Sequence, residues 1–156
     1  NCDWSSDVCS SDLLVERTDA DGNRAHDGNL VMAGADVFAF TLREVPEAVA
    51  AAMRLAGWRA DDVDAFVLHQ ANRFVLGALA RKLGVPAEKV PMGLVEKYGN
   101  QSSASIPCAL ADALGDRLAV APLRLVGCGF GVGLSWGAFA GEFGPMAVAP
   151  VLPFPR

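Results

Sequence analysis

Two short polar stretches carry the side chains best suited to chemistry. Leu68-His69-Gln70-Ala71-Asn72 closes an apolar run, and Tyr98-Gly99-Asn100-Gln101-Ser102-Ser103-Ala104-Ser105-Ile106-Pro107 follows further along. Each sets a neutral polar side chain, His69 or Asn100, where an apolar run meets a helix-start signal. Backbone N–H groups are still unpaired at such junctions and water or ligand has access, so a side chain there is presented rather than buried. His69 and Asn100 are therefore expected to form one site. Taken singly, a strand-end histidine is more often a hydrogen-bonded structural residue, and Gly-Asn is more often a turn; the pairing of the two stretches is what favours a site.

Other chemistries find less support. Gly127, Gly129, Gly131 and Gly133 suggest a phosphate loop, yet the chain has no Gly-x-x-x-x-Gly-Lys-Ser/Thr and a strand is expected to follow. Two histidines without clustered acids give little basis for a metal site. Asp19-Ala20-Asp21-Gly22-Asn23 has calcium-loop spacing at its start but lacks the bidentate Glu and the remaining ligands. Cys2, Cys9, Cys108 and Cys128 show no paired short spacing, which fits reduced thiols. Cys108, just after Pro107, is expected to be a small buried thiol. Cys128, in the glycine stretch, has a slightly better case as a reactive one, although the structural reading is preferred. No cofactor is expected.

The elements that must position His69 and Asn100 can be read from periodicity and punctuation. Ala65-Phe66-Val67-Leu68 is short, continuous and apolar, as in a strand covered on both faces, and it places His69 at its C-terminal end. Asn72 caps a helix running to Leu83, with Val75, Leu76, Leu79 and Ala80 on one face and Arg73, Arg81 and Lys82 on the other; Gly84 closes it. A helical turn spans Gly93 to Tyr98. Ser102 or Ser103 is expected to cap a further helix that has Pro107 in its first turn and ends near Leu114-Gly115. Before the site, helix extends from the cap candidate Asp36 to a stop at Gly57, and Pro46 either kinks it or begins a second helix. Residues 14 to 29 are expected to form a hairpin-like loop with His26 exposed, and residues 30 to 33 a short extended piece. Leu123-Arg124-Leu125-Val126 reads as a strand, Gly127 to Gly133 as a glycine turn, and Leu134 to Phe143 as a closing strand. This succession predicts an α/β fold, a layered mixed sheet with helices on both faces, and sites in such sheets collect outside the strand ends.

Composition sets the outer limits. The chain has 156 residues, 52% hydrophobic and 20% charged, enough for one core of ordinary size. A net charge of -5 argues against nucleic acid or an anionic membrane as a partner of the whole surface. Apolar stretches are broken by Gly, Pro or charge before a bilayer could be spanned, and a cytoplasmic location is expected. Residues 1–13 lack any period and look like a translated sequencing adapter, or else a disordered polar N-terminus; on the adapter reading the chain is a fragment. Residues 144–156 hold Pro145, Pro150, Pro153 and Pro155 and are expected to be an extended, loosely held tail.

His69-Gln70-Ala71-Asn72, the Tyr98 to Pro107 stretch and Gly131-Val132-Gly133-Leu134-Ser135-Trp136-Gly137, in this order, resemble the C-terminal half of the β-ketoacyl-acyl-carrier-protein synthase III family. The resemblance covers roughly residues 28–143, so residues 14–143 are expected to form a C-terminal condensing-enzyme domain. It implies a thiolase-like fold and decarboxylative Claisen condensation of an acyl-CoA starter with malonyl-acyl carrier protein, in fatty-acid initiation, at a Cys-His-Asn site. It also implies acyl carrier protein and acyl-CoA or malonyl thioesters as partners and a homodimer as the working form. Catalytic roles fall by this match on His69 and Asn100, as donors to an enolate, and on the backbone N–H of Gly133, as donor to the oxyanion of acyl transfer. Asn72 and Arg73 are the candidate substrate-binding residues, with Arg73 either a coenzyme-phosphate contact or a solvated helix residue. The family's nucleophilic cysteine belongs to the N-terminal half, which this chain does not carry. The alternatives are a non-catalytic condensing-enzyme-like subunit, an inactive fragment, or a related polyketide or specialised-metabolite ketosynthase.

Overall fold

In the computed structural model, strand β3 (Ala65–Leu68) is buried along all four residues. The reason is that both its faces are covered. Phe66 and Leu68 point to one side, where Val126, Cys128 and Phe130 of β4 (Leu123–Gly131) join them. They pack against Val45, Val49 and Ala52 of helix α1 (Gly34–Ala56) and Val75, Leu76, Leu79 and Ala80 of α2 (Arg73–Leu83). Ala65 and Val67 point to the other side, with Leu123 and Leu125. Opposite them lie Ala109 of α4 (Ser105–Ala109), Leu114, and Leu118 of α5 (Gly115–Val120). Period-two alternation within strands thus divides one apolar set into two cores. The result is the layered mixed sheet with helices on both faces that the sequence predicts.

The structure describes residues 16–18, 24–26, 34–131 and 134–152. It divides into two units, residues Asn1–Gly34 and Ala35–Arg156. In the first, β1 (Glu16–Thr18) pairs antiparallel with β2 (Arg24–His26), Arg17 opposite Ala25, which is the expected hairpin. The expected extended piece at 30–33, together with Cys2 and Cys9, lies outside the described residues. In the second, the strand order is β3-β4-β5, with β5 spanning Ser135–Phe143. β3 runs parallel to β4, Ala65 opposite Leu125, and β4 runs antiparallel to β5, Cys128 opposite Ala138.

Local chemistry explains several boundaries. α1 runs unbroken through Pro46, which neither ends it nor begins another helix. Asn72 caps α2 by accepting the Val75 N–H at 2.8 Å, and Gly84 closes it with its N–H on the carbonyls of Ala80 and Arg81. α3 (Leu94–Tyr98) is the expected helical turn.

Three expectations are corrected. Neither Ser102 nor Ser103 caps α4: Ser102–Ala104 is a short 3-10 turn that leads into the helix with no side-chain cap. Gly115 does not stop that helix either. Leu110–Leu114 widens into a π-helical segment, Gly115 keeps right-handed helical angles (φ -53°), and α5 continues to Val120. Finally, Gly127, Gly129 and Gly131 belong to β4 rather than to a turn. Gly127 stands opposite Phe139, whose ring lies across the space a Cβ would fill, so a side chain on one strand takes the place of the one missing on its neighbour.

Residues 144–152 form neither helix nor strand, and their first part is held. The N–H of Met146 donates to the carbonyl of Leu118 at 2.8 Å, and Val148 packs against the second core. Gly144 makes the preceding turn at φ +94°, where a Cβ would sit 3.0 Å from the Leu118 carbonyl oxygen. No helix among the described residues is long and apolar enough to cross a membrane.

Candidate active site

The site begins where β3 ends. The N–H of His69 donates to the carbonyl of Cys128 at 2.9 Å, which carries the parallel ladder one residue past the strand. The chain then turns, with Ala71 N–H on the carbonyl of His69 at 2.9 Å. Gln70 is fully buried inside this corner. Its Nε2 donates to the carbonyls of Leu68 at 2.9 Å and Pro91 at 3.0 Å, which ties the corner to the segment preceding α3. Asn72 ends the corner as the α2 cap. A strand-to-helix corner with both of its ends hydrogen-bonded holds His69 far more rigidly than a free loop could.

The His69 ring has two neighbours that fix its plane. Phe130 meets it edge-on, with ring centroids 5.2 Å apart and an interplanar angle of 87°. On its other flank Nδ1 lies 2.7 Å from Oγ of Ser105, the first residue of α4, and the N–H of Gln70 donates to the same oxygen at 3.3 Å. Burial pushes the His69 pKa below 6.5, and a backbone hydrogen bond with Ser102 opposes that shift without cancelling it. The ring is therefore neutral at neutral pH.

Asn100 is exposed in the loop between α3 and the Ser102–Ala104 turn. Its Oδ1 accepts the N–H of Ser102 at 2.9 Å, and Ser102 takes φ 51° to make that contact. With its oxygen committed to its own backbone, the carboxamide offers its N–H₂ end to anything that enters. The two polar stretches of the sequence are joined at Ser105, which belongs to the Asn100 stretch and holds the His69 ring. What results is a neutral imidazole and a carboxamide donor group, with no acid beside His69 in hydrogen-bond contact among the described residues. Such a set suits stabilisation of a developing negative charge on oxygen, which a carboxylate in either position would oppose.

The other candidates fall as follows. Asn72 uses Oδ1 in the α2 cap, so its amide N–H₂ is what it can offer a ligand. Arg73, exposed on the first turn of α2, pairs with Glu96 of α3. Gly133 lies outside the described residues. Cys128 is buried in β4, with Sγ 3.6 Å from the Gly129 carbonyl, and burial pushes its thiol up to about 11, partly offset by a backbone hydrogen bond at Gly137. This is the environment of an inert thiol. Cys108 is half-buried against the second core. Among the described residues, no group of three or more His, Cys, Asp or Glu side chains could hold a metal ion. Ser105 and Gln70 are the residues that sequence reasoning passed over. A serine heading an otherwise apolar helix face and a glutamine adjoining an apolar strand were the available signals, but their partners are distant in sequence.

Comparison with known proteins follows the same lines. Residues 53–143 match the family described as 3-oxoacyl-[acyl-carrier-protein (ACP)] synthase III C terminal. A β-ketoacyl-[acyl-carrier-protein] synthase III of Oceanobacillus iheyensis is 39% identical over 119 residues, covering 76% of this chain and 38% of that protein. A 3-oxoacyl-(acyl-carrier protein) synthase of Burkholderia xenovorans superposes with a TM-score of 0.73 at 46% identity, over 77% of this chain and 34% of its own. The priming β-ketosynthase of the R1128 polyketide biosynthetic pathway gives a TM-score of 0.67 at 34% identity, over 88% of this chain and 40% of its own. The chain thus spans 34% to 40% of the length of these three proteins.

Proposed function

This chain belongs to the 3-oxoacyl-[acyl-carrier-protein] synthase III C-terminal family, and from that membership we propose that it is the charge-stabilising half of a decarboxylating condensing enzyme. In this reading the complete enzyme is an acyltransferase that joins an acyl-CoA starter to a malonyl group carried on acyl carrier protein, at the start of fatty-acid synthesis, and works as a homodimer. Loss of carbon dioxide from the malonyl thioester sends the electron pair of the broken C–C bond towards the thioester oxygen, giving an enolate. An N–H of His69 and the carboxamide N–H of Asn100 donate to that oxygen. The enolate carbon then attacks an acyl group held on a cysteine thioester supplied from outside this chain. The backbone N–H of Gly133 takes the role the resemblance implies, as a donor during acyl transfer.

The observation that carries this reading is the neutral His69 ring, locked by Ser105 into the same segment that presents Asn100. Asn72 and Arg73 flank the corner and are the substrate-binding residues of the proposal. The Arg73–Glu96 pair is solvent-exposed and so worth little, on the order of 0–1 kcal/mol, which lets a coenzyme phosphate take the place of Glu96. The test is malonyl-thioester decarboxylation by the whole enzyme, expressed from the recovered upstream coding sequence. His69→Ala and Asn100→Ala are each expected to lower the rate about 100-fold to 1,000-fold. Full decarboxylation in the double variant refutes the assignment. The likeness to a priming polyketide ketosynthase favours a second reading, the same condensation feeding polyketide assembly, and product analysis with short and branched starters separates the two.

A further inference from the structure

A neutral imidazole carries one proton on two nitrogens, and which nitrogen holds it decides what the ring can donate. At His69 the surroundings of Ser105 decide the matter. Ser105 is 1% exposed, so its hydroxyl proton cannot be given to bulk water. Its Oγ already accepts from the N–H of Gln70, a group that can only donate. The hydroxyl proton needs an acceptor, and among the described residues the other hydrogen-bond neighbour of Oγ is Nδ1 of His69 at 2.7 Å. Were the ring proton on Nδ1 instead, two donors would point at one oxygen and the buried O–H would be left without a partner, a cost of about 1–3 kcal/mol.

We propose that Ser105 is the positioning residue of the site: it donates its hydroxyl proton to Nδ1 of His69 and so fixes the neutral ring with its N–H on Nε2. The chain of donation runs from Gln70 N–H to Ser105 Oγ, then from Ser105 O–H to His69 Nδ1. Nε2 then carries the one N–H of the neutral ring. Phe130, edge-on to the ring, limits the flip that would put Cδ2 in place of Nδ1 against Ser105. The direction in which burial moves the His69 pKa keeps the ring neutral, the state in which the choice of nitrogen matters. The catalytic use of the Nε2–H rests on the enolate reading above; the position of the proton does not.

The test is made on the 156-residue chain itself, labelled with ¹⁵N-histidine. The chain has two histidines, and His26→Gln leaves the His69 signals alone in two-bond ¹H–¹⁵N spectra at neutral pH. The expected pattern is one tautomer, Nδ1 unprotonated and Nε2 protonated. Ser105→Ala is expected to replace it with the averaged pattern of a ring exchanging both tautomers, and Ser105→Thr, which keeps the hydroxyl, to restore it. A protonated Nδ1 in the chain with Ser105 intact overturns the proposal even where Ser105→Ala fails to fold, and so does a Ser105→Ala spectrum with an unchanged single tautomer. In the whole enzyme, Ser105→Ala is expected to lower kcat for decarboxylation on the order of 10-fold to 100-fold with KM little changed. If the spectra match expectation while His69→Ala still decarboxylates at full rate, the enolate reading fails and the tautomer assignment stands.

Discussion

Burial of His69 has a cost that depends on pH, and its sign can be worked out. The folded-state pKa lies below the unfolded value of 6.5, so between the two the unfolded chain binds more protons and stability rises with pH. Above 6.5 the penalty is absent, and below the folded pKa it is complete. Denaturant midpoints are therefore expected to fall as pH is lowered from neutrality through 6.5, and His69→Asn is expected to flatten that part of the profile. An identical profile in the variant contradicts the burial account. Cys128 gives a second residue-level expectation. With its thiol pushed up to about 11 and its side chain in the core, it should resist iodoacetamide at mildly alkaline pH and become labelled only on unfolding, as read by peptide mass spectrometry. At this scale the positions of His69, just past β3, and Asn100, in an exposed loop, were legible because residue type and junction are local facts. Ser105 was not, because its importance comes from a partner 36 residues away.

The elements were legible where capping and periodicity were strong. β3 and α2 fall where the apolar run, Asn72 and Gly84 place them. Asn72→Ala should lower stability by about 1 kcal/mol through loss of the cap, measured as a shift in denaturant midpoint with the slope unchanged. The glycine stretch misled because glycine carries no side chain and so no signal of which face is buried; what fills the space over Gly127 is a ring from the neighbouring strand. Gly127→Ala is expected to cost about 1–3 kcal/mol by overpacking. In a Phe139→Ala background the same change should cost much less, and a double-mutant cycle with no coupling between the two positions would show that the ring does not occupy that space. The π segment was hidden for a related reason. Gly115 is a stop signal only if the chain turns left-handed there, and packing of Leu114 and Leu118 into the second core keeps it helical instead.

Among the described residues, the candidate site holds hydrogen-bond donors, and no thiol is in hydrogen-bond contact with His69. The proposed division of labour therefore predicts that the purified chain, incubated with radiolabelled acyl-CoA, retains no stoichiometric thioester label after denaturing gel filtration; stoichiometric labelling would place a nucleophile within it. The fold class itself was legible, since alternating strands and helices with short apolar strands leave few arrangements. One feature of that arrangement bears on how the molecule comes into being. β3 and β4 are parallel, so no tight turn can join them, and α2 through α5 must be traversed before Ala65 meets Leu125. Pairing over such a separation loses chain entropy before any ladder bond repays it, which makes it slow relative to helix formation. His69 hangs from the end of β3, and Ser105 lies within the intervening chain. During refolding the helical signal should thus recover first and the His69 ring environment later: the molecule acquires its shape in pieces and its chemistry last.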